Sequence, residues 1–299
     1  MISSLLNELI VRKKELNTSL KSIYFGGGTP SLLTKDELAC LLKTVHENYS
    51  IDPSVEVTLE ANPENISKKT ASAWKGIGIN RLSIGLQSFK NEDLKWMNRG
   101  HSHEDNINCV KTAQGIGFNN VSVDLIYGLP GLTSDQWLSF LKQVVSLGVP
   151  HISAYCLTIE NKTKLKNDIA NGLIVPLPEN KQVEQFEQLS SFLQESGYEH
   201  YEVSNFAKNN AYSKHNTAYW QRQQYLGIGP SAHSYDGIKR RWNVANNHIY
   251  MSRGGVGKSW YGEETLDSNA VWNELFLTGL RTKWGVSKKQ ISLLGGLRL

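Results

Sequence analysis

Along the first half of the chain, short runs of β-branched and aromatic residues alternate with longer stretches whose apolar positions recur at helical spacing. A period near two followed by a period near 3.6, repeated several times, predicts βα units around a largely parallel sheet. The strands fall at residues 22–25, 55–61, 81–87, 121–127 and 151–157, and the helices at 34–49, 67–75, 104–115 and 134–147. A unit length of ~25 to 40 residues suits a barrel or a doubly wound sheet. Thr34 with Glu37 three positions on reads as a capping box, and Ser134 ahead of Asp135 and Gln136 marks another helix start.

The rhythm changes after residue 157. A long polar helix over 179–196 leads into a segment rich in Tyr, Asn, His and Trp, residues 198–243, which reads as strands and loops, and an apolar helical segment follows at 271–280. Residues 1–175 are therefore expected to form the sheet-and-helix body, and residues 176–299 an appended C-terminal region.

With 299 residues, 39% of them hydrophobic, the chain can bury a full core. Its 32 basic and 28 acidic residues leave a net charge of only +4, spread evenly, so no nucleic-acid groove is expected. No apolar run approaches the roughly 20 residues of a membrane span, and the first residues lack the features of a signal peptide. The expectation is a cytoplasmic protein with no transmembrane segment. Cys40, Cys109 and Cys156 stand singly, without the short-spaced pairs of zinc or iron–sulfur sites. They read as small buried hydrophobes, with no disulfide and no metal on them.

Polar groups sit where the strands end, which is where a βα barrel builds its site. Gly26-Gly27-Gly28-Thr29-Pro30 closes the first strand, and glycines there let backbone groups approach a ligand. Glu60 ends the second strand, Gln87 the third, and Asp124 interrupts an apolar fourth; Arg99 follows Gln87 on the next segment. Each buried carboxylate needs a cation or several donors, so an ion pair with Arg81 or Arg99 and a functional role stand equally open. His215-Asn216-Thr217-Ala218-Tyr219-Trp220 lies in a polar loop, where the imidazole serves either as a hydrogen-bonded loop residue or as an iron ligand for a macrocycle held by flat aromatics.

Together these motifs resemble the radical S-adenosylmethionine proteins of the HemW and oxygen-independent coproporphyrinogen oxidase family. The resemblance runs through Gly26–Leu32, Glu60–Pro63, Arg81–Phe89, Asp124–Gly131, Tyr201–Ala207 and Gly227–Ser234, in that order. It implies an α/β fold, a partial (β/α)6 barrel lacking its first strand and followed by a C-terminal accessory region. It also implies that Gly27, Gly28, Thr29, Glu60, Gln87, Arg99 and Asp124 bind S-adenosylmethionine. The His215-Asn216-x-x-Tyr219-Trp220 motif is similar to the one that marks the HemW branch of haem chaperones, which implies haem or porphyrin as cargo and haem-accepting proteins as partners. Oxidative decarboxylation of coproporphyrinogen III is the family's alternative activity. The family's Cys-x-x-x-Cys-x-x-Cys loop, which holds a [4Fe–4S] cluster, is absent here, so the resemblance implies no radical chemistry from this sequence and suggests that family members extend further at both ends.

Overall fold

A computed structural model describes residues 1–254 and 261–295. Helix α1 (Ile2–Val11) precedes strand β1 (Leu20–Phe25), and then come α2 (Lys35–Asn48), β2 (Ile51–Ala61), α3 (Lys68–Gly76), β3 (Arg81–Gln87), α4 (Asn91–Trp96), α5 (His103–Gly115), β4 (Asn120–Tyr127), α6 (Ser134–Ser146) and β5 (His151–Cys156). The expected alternation is present, with each of the five strands within a few residues of its predicted place. The chain continues through α7 (Lys164–Ala170), α8 (Glu179–Glu195), β6 (Glu199–Glu202), β7 (Asn205–Ala207), α9 (Lys214–Trp220), β8 (His233–Tyr235), β9 (Lys239–Asn243), α10 (Asn247–Ser252), β10 (Tyr261–Thr265), α11 (Ser268–Gly279) and α12 (Lys288–Gly295).

Seven strands form one sheet in the order β1-β2-β3-β4-β5-β7-β6, and β8, β9 and β10 form a small second sheet. Strands β2 through β5 pair in parallel, as strands joined by crossover helices must, and the β6–β7 hairpin closes the order antiparallel. The chain divides into two compact units. One comprises residues 1–24, 33–57 and 213–299, the other residues 25–32 and 58–212.

Within the second unit the strands sort their side chains by parity. Leu59, Leu82, Ile84, Val121, Val123, Leu125 and Ile152 are all fully buried and form the apolar core. The intervening positions are polar, and the register sets them in rows: Thr58, Arg81 and Asn120, then Glu60, Ser83, Ser122 and His151, then Gly85, Asp124 and Ser153. Because Cβ alternates faces along a strand, a one-residue offset separates an oil-like face from one that is buried yet polar.

Local signals behave as the side chains dictate, with three corrections. Thr34 and Glu37 do form a capping box, but α6 is capped by Thr133, whose hydroxyl accepts from the Gln136 N–H, and Ser134 is already inside the helix. Both residues can cap; the one whose partner lies three positions on prevails. Cys40 is exposed rather than buried, because Leu38, Leu41, Leu42 and Val45 take the inner stripe of α2 and leave Cys40 outside it. Finally, the 213–220 segment is helix and not loop, started by Ser213, whose hydroxyl accepts from the Asn216 N–H.

Candidate functional site

In the second unit, the predicted strand-tip residues gather around two carboxylates. Gly27 and Gly28 have φ of 77° and 65°, a region that favours glycine, and a methyl group on either would meet no atom within 4 Å. The Gly27 N–H donates to Glu60 Oε2 at 3.1 Å, which ties the glycine turn to the tip of β2. Glu60 in turn lies close enough to Asp124 for its charge to raise the Asp124 pKa.

The Asp124 carboxyl is strongly perturbed. Part of the residue stays accessible, yet dense surroundings desolvate it, and burial pushes its carboxyl up to about 6, with the Glu60 charge adding to the rise. Hydrogen bonds from Ser153 and Ser83 oppose the shift, as does the Arg81 charge. The Ser83 hydroxyl sits 3.3 Å from both Asp124 oxygens. Of the two ion pairs open from the sequence, neither forms directly: Arg81 donates to Asn120, and Arg99 donates to Asn62 Oδ1 at 3.4 Å. The neighbouring Tyr155 phenol is likewise pushed to about 12, by burial first and by the Asp124 charge second.

Gln87 and Arg99 approach the same strand tips through Asn62. The pairing of β3 with β4 shifts between Gly85 and Gln87, and Gln87 adopts a φ of 66° at that irregularity. A non-glycine residue in this region costs on the order of 1 kcal/mol or more. Its side chain folds back over Gly85, where an added Cβ would fall 2.6 Å from Gln87 Nε2 and 3.9 Å from Asn62 Oδ1. Thr29 lies within the same turn, its carbonyl accepting from the Leu32 N–H. Asn62 was absent from the sequence-predicted set, although it stands two residues beyond Glu60 where the strand turns into the next loop.

A buried polar chain on the same sheet face was not foreseen either. His151 is fully buried between Ser122 Oγ and Tyr201 Oη, each 2.7 Å from a ring nitrogen. Desolvation, and then the Arg81 charge, drive its pKa well below the usual histidine value, so the ring stays neutral.

The first unit holds the other predicted cluster. His215 and Tyr219 lie four residues apart on α9 and meet edge to face at 4.8 Å, and the imidazole also stacks on Tyr24 at 4.3 Å and 14°. The N–H groups of Lys214 and His215 both donate to the buried Glu56 carboxylate at 3.2 Å, so the start of α9 carries an anion against its free donors. Tyr219 continues the aromatic run to Tyr225 at 4.5 Å, and Trp220 closes the helix. Asn216 supplies the N–H that Ser213 caps.

The fold and the matched segment define a radical S-adenosylmethionine protein: residues 4–144 match the Radical SAM superfamily. A solved neighbour, the coproporphyrinogen III oxidase HemN from Escherichia coli, superimposes with a TM-score of 0.81 over 97% of this chain and 70% of its own, at 23% identity, and that likeness bears on the fold. Among curated proteins, the haem chaperone HemW of Lactococcus lactis is 36% identical over 89% of this chain and 70% of its own length. HemW of Bacillus subtilis is 36% identical over 91% and 73%. A mitochondrial radical S-adenosyl methionine domain-containing protein 1 from Danio rerio is 39% identical over 94% and 67%. The chain belongs to the HemW family.

Membership of the Radical SAM superfamily implies S-adenosylmethionine and a [4Fe–4S] cluster as the family's cofactors. The strand-tip residues have the chemistry for the first: two carboxylates for ammonium and ribose hydroxyl groups, and an open glycine backbone beside them. The cluster does not fit the residues of this sequence. Cys109 is buried within α5 and Cys156 ends β5, and neither stands in a short-spaced set of thiols. Cys40 stands apart on the outer side of α2, and among the described residues no three His, Cys, Asp or Glu side chains form a metal-holding group.

Proposed function

We propose that this protein is a haem chaperone of the HemW type, which binds haem and passes it to haem-accepting proteins. The observation that carries the reading is the His215-Asn216-x-x-Tyr219-Trp220 helix, where an imidazole stacks on Tyr24 and meets Tyr219 edge to face. Such a ring is held in place by its neighbours, and imidazole is a common ligand of haem iron. The HemW names of relatives at 36% identity point the same way.

On this reading the strand-tip set, Gly27, Gly28, Thr29, Glu60, Gln87, Arg99 and Asp124, takes S-adenosylmethionine. Asp124 and Glu60 accept from the cofactor's N–H and O–H groups, and Gln87 and Arg99 complete the polar lining. The oxidase alternative has no observation of its own in its favour, because the likeness to HemN concerns the fold.

Haem titration followed in the Soret band tests the assignment. His215→Ala is expected to weaken haem binding at least tenfold and to shift the band; unchanged affinity and spectrum remove His215 as the iron ligand. Haem-loaded protein mixed with apomyoglobin, used as a generic acceptor, should lose its haem to the acceptor.

A further inference from the structure

Immediately beyond the His215 helix lies a pocket of about 220 Å³ within the first unit. Tyr219, Tyr225 and Tyr235 form its aromatic wall, and Arg222, Arg240 and Glu274 supply its charges. The wall is continuous with the motif, since Tyr219 touches His215 on one side and Tyr225 on the other.

Charge in this pocket does not cancel. Glu274 is shared by two guanidinium groups, its Oε1 at 2.8 Å from Arg240 Nη2 and its Oε2 at 3.6 Å from Arg222 Nη2. Two cations against one carboxylate leave one positive charge over. Arg222 is anchored besides by Tyr235 Oη at 2.8 Å and the Val271 carbonyl at 3.1 Å, so its position is set by the protein. Its Nε–H is buried and has no hydrogen-bond partner among the described residues. Arg240 keeps 41% of its side chain exposed and holds Glu274 through one nitrogen, which leaves the rest of its fork for another acceptor.

The backbone adds a second observation. Gln223 N–H bonds to Ala218 O, and Arg222 N–H bonds to Tyr219 O, the paired bonds of a Schellman ending in which Arg222 occupies the left-handed position with φ 54°. Glycine is the ordinary occupant there, and a side chain is strained in that position. An arginine at this place sends its guanidinium into the pocket, where the hydrogen bonds above hold it.

The geometry points to a carboxylate subsite: the pocket receives one acidic side arm of a flat aromatic ligand, and for haem that arm is a propionate. The inference rests on the haem reading and extends it from the iron to the ring's edge. Arg240 would bind the carboxylate, the fixed Arg222 guanidinium would add its positive charge behind it, the tyrosines would contact the adjoining ring, and Glu274 would act as the competing anion that sets how tightly the arm is held.

Full-length protein titrated with haem and with haem dimethyl ester, which keeps the iron and the ring but carries no free carboxylate, tests this. Wild type is expected to bind haem more tightly than the diester. Arg240→Gln should weaken haem about tenfold and leave the diester unchanged, with Arg240→Lys retaining part of the difference. Glu274→Gln should tighten haem, a direction that a purely structural role for the Arg222–Glu274–Arg240 cluster would not produce; circular dichroism confirms that each variant is folded. If Arg240→Gln binds both compounds as wild type does, the subsite is overturned while the haem reading stands. If wild type binds neither compound, the haem reading falls and the subsite with it.

Discussion

The imidazole of His215 lies flat against the phenol ring of Tyr24, centroids 4.3 Å apart and planes 14° from parallel, although 191 positions separate the two residues (215 − 24). Stacking of this kind is worth about 0.5–1.5 kcal/mol beyond area burial. Tyr24→Ala should therefore free the ring and weaken haem binding about threefold to tenfold, read as Kd in the Soret titration, without abolishing it. Full retention of affinity would show that the stack does not orient His215.

Asp124 predicts a trade between stability and binding. Its carboxyl titrates near 6 in the fold, against the ordinary 3.8. Between those values the folded chain holds the extra proton, so the group favours the fold at acid pH and loses that contribution as pH rises through 6. Above pH 6 the charged carboxylate costs up to roughly 3 kcal/mol. Asp124→Asn should stabilise the protein against urea by about 1–3 kcal/mol at pH 8. At pH 4 the gain should vanish, and S-adenosylmethionine binding measured by calorimetry should weaken.

His151 carries the opposite sign. It is neutral in the fold, with a pKa depressed by burial, whereas an unfolded histidine takes up a proton below about 6.5. Its contribution is present above that pH and lost as pH falls, at about 1.4 kcal/mol per unit. Because Asp124 gains over part of the same range, the wild-type stability profile between pH 4 and 6 should be shallow. Asp124→Asn removes one of the two opposing slopes, and urea midpoints taken at half-unit steps should then fall steadily with acid.

Glu8 anchors the first unit. Its buried carboxylate meets Arg12 at 2.7 Å, the Tyr250 hydroxyl at 2.6 Å, the Gly229 N–H at 2.8 Å and Asn243 at 2.9 Å. Removing one partner of a buried pair leaves the other uncompensated, at about 3–5 kcal/mol. Glu8→Ala should lower the denaturation free energy by that amount, while the conservative Glu8→Gln should recover part of it by keeping the hydrogen bonds to Tyr250 and Gly229. A loss below about 1 kcal/mol for Glu8→Ala would mean that water replaces the carboxylate.

The order of elements was legible in the residues because its signals are local: parity of apolar positions, a Thr34–Glu37 cap, a glycine triplet at a strand's end. Glu60, Gln87 and Asp124 stood out for the same reason, since the first two end an apolar run and the third interrupts one. The sequence pattern also placed His215, Asn216, Tyr219 and Trp220 together, but the Tyr-, Asn- and Trp-rich composition around them concealed the helix that Ser213 starts. What the residues could not show was partnership. Whether Asp124 meets an arginine or two serines, whether Cys40 faces in or out of α2, and which of Thr133 and Ser134 caps α6 depend on contacts and competition that no single segment encodes. Glu8 makes the point most sharply: nothing in its own segment marks it, and only packing against Gly229, Asn243 and Tyr250, more than 220 positions away, makes it a buried anion. Desolvation is a property of the folded surroundings, and it is desolvation that sets the Asp124 and His151 titrations.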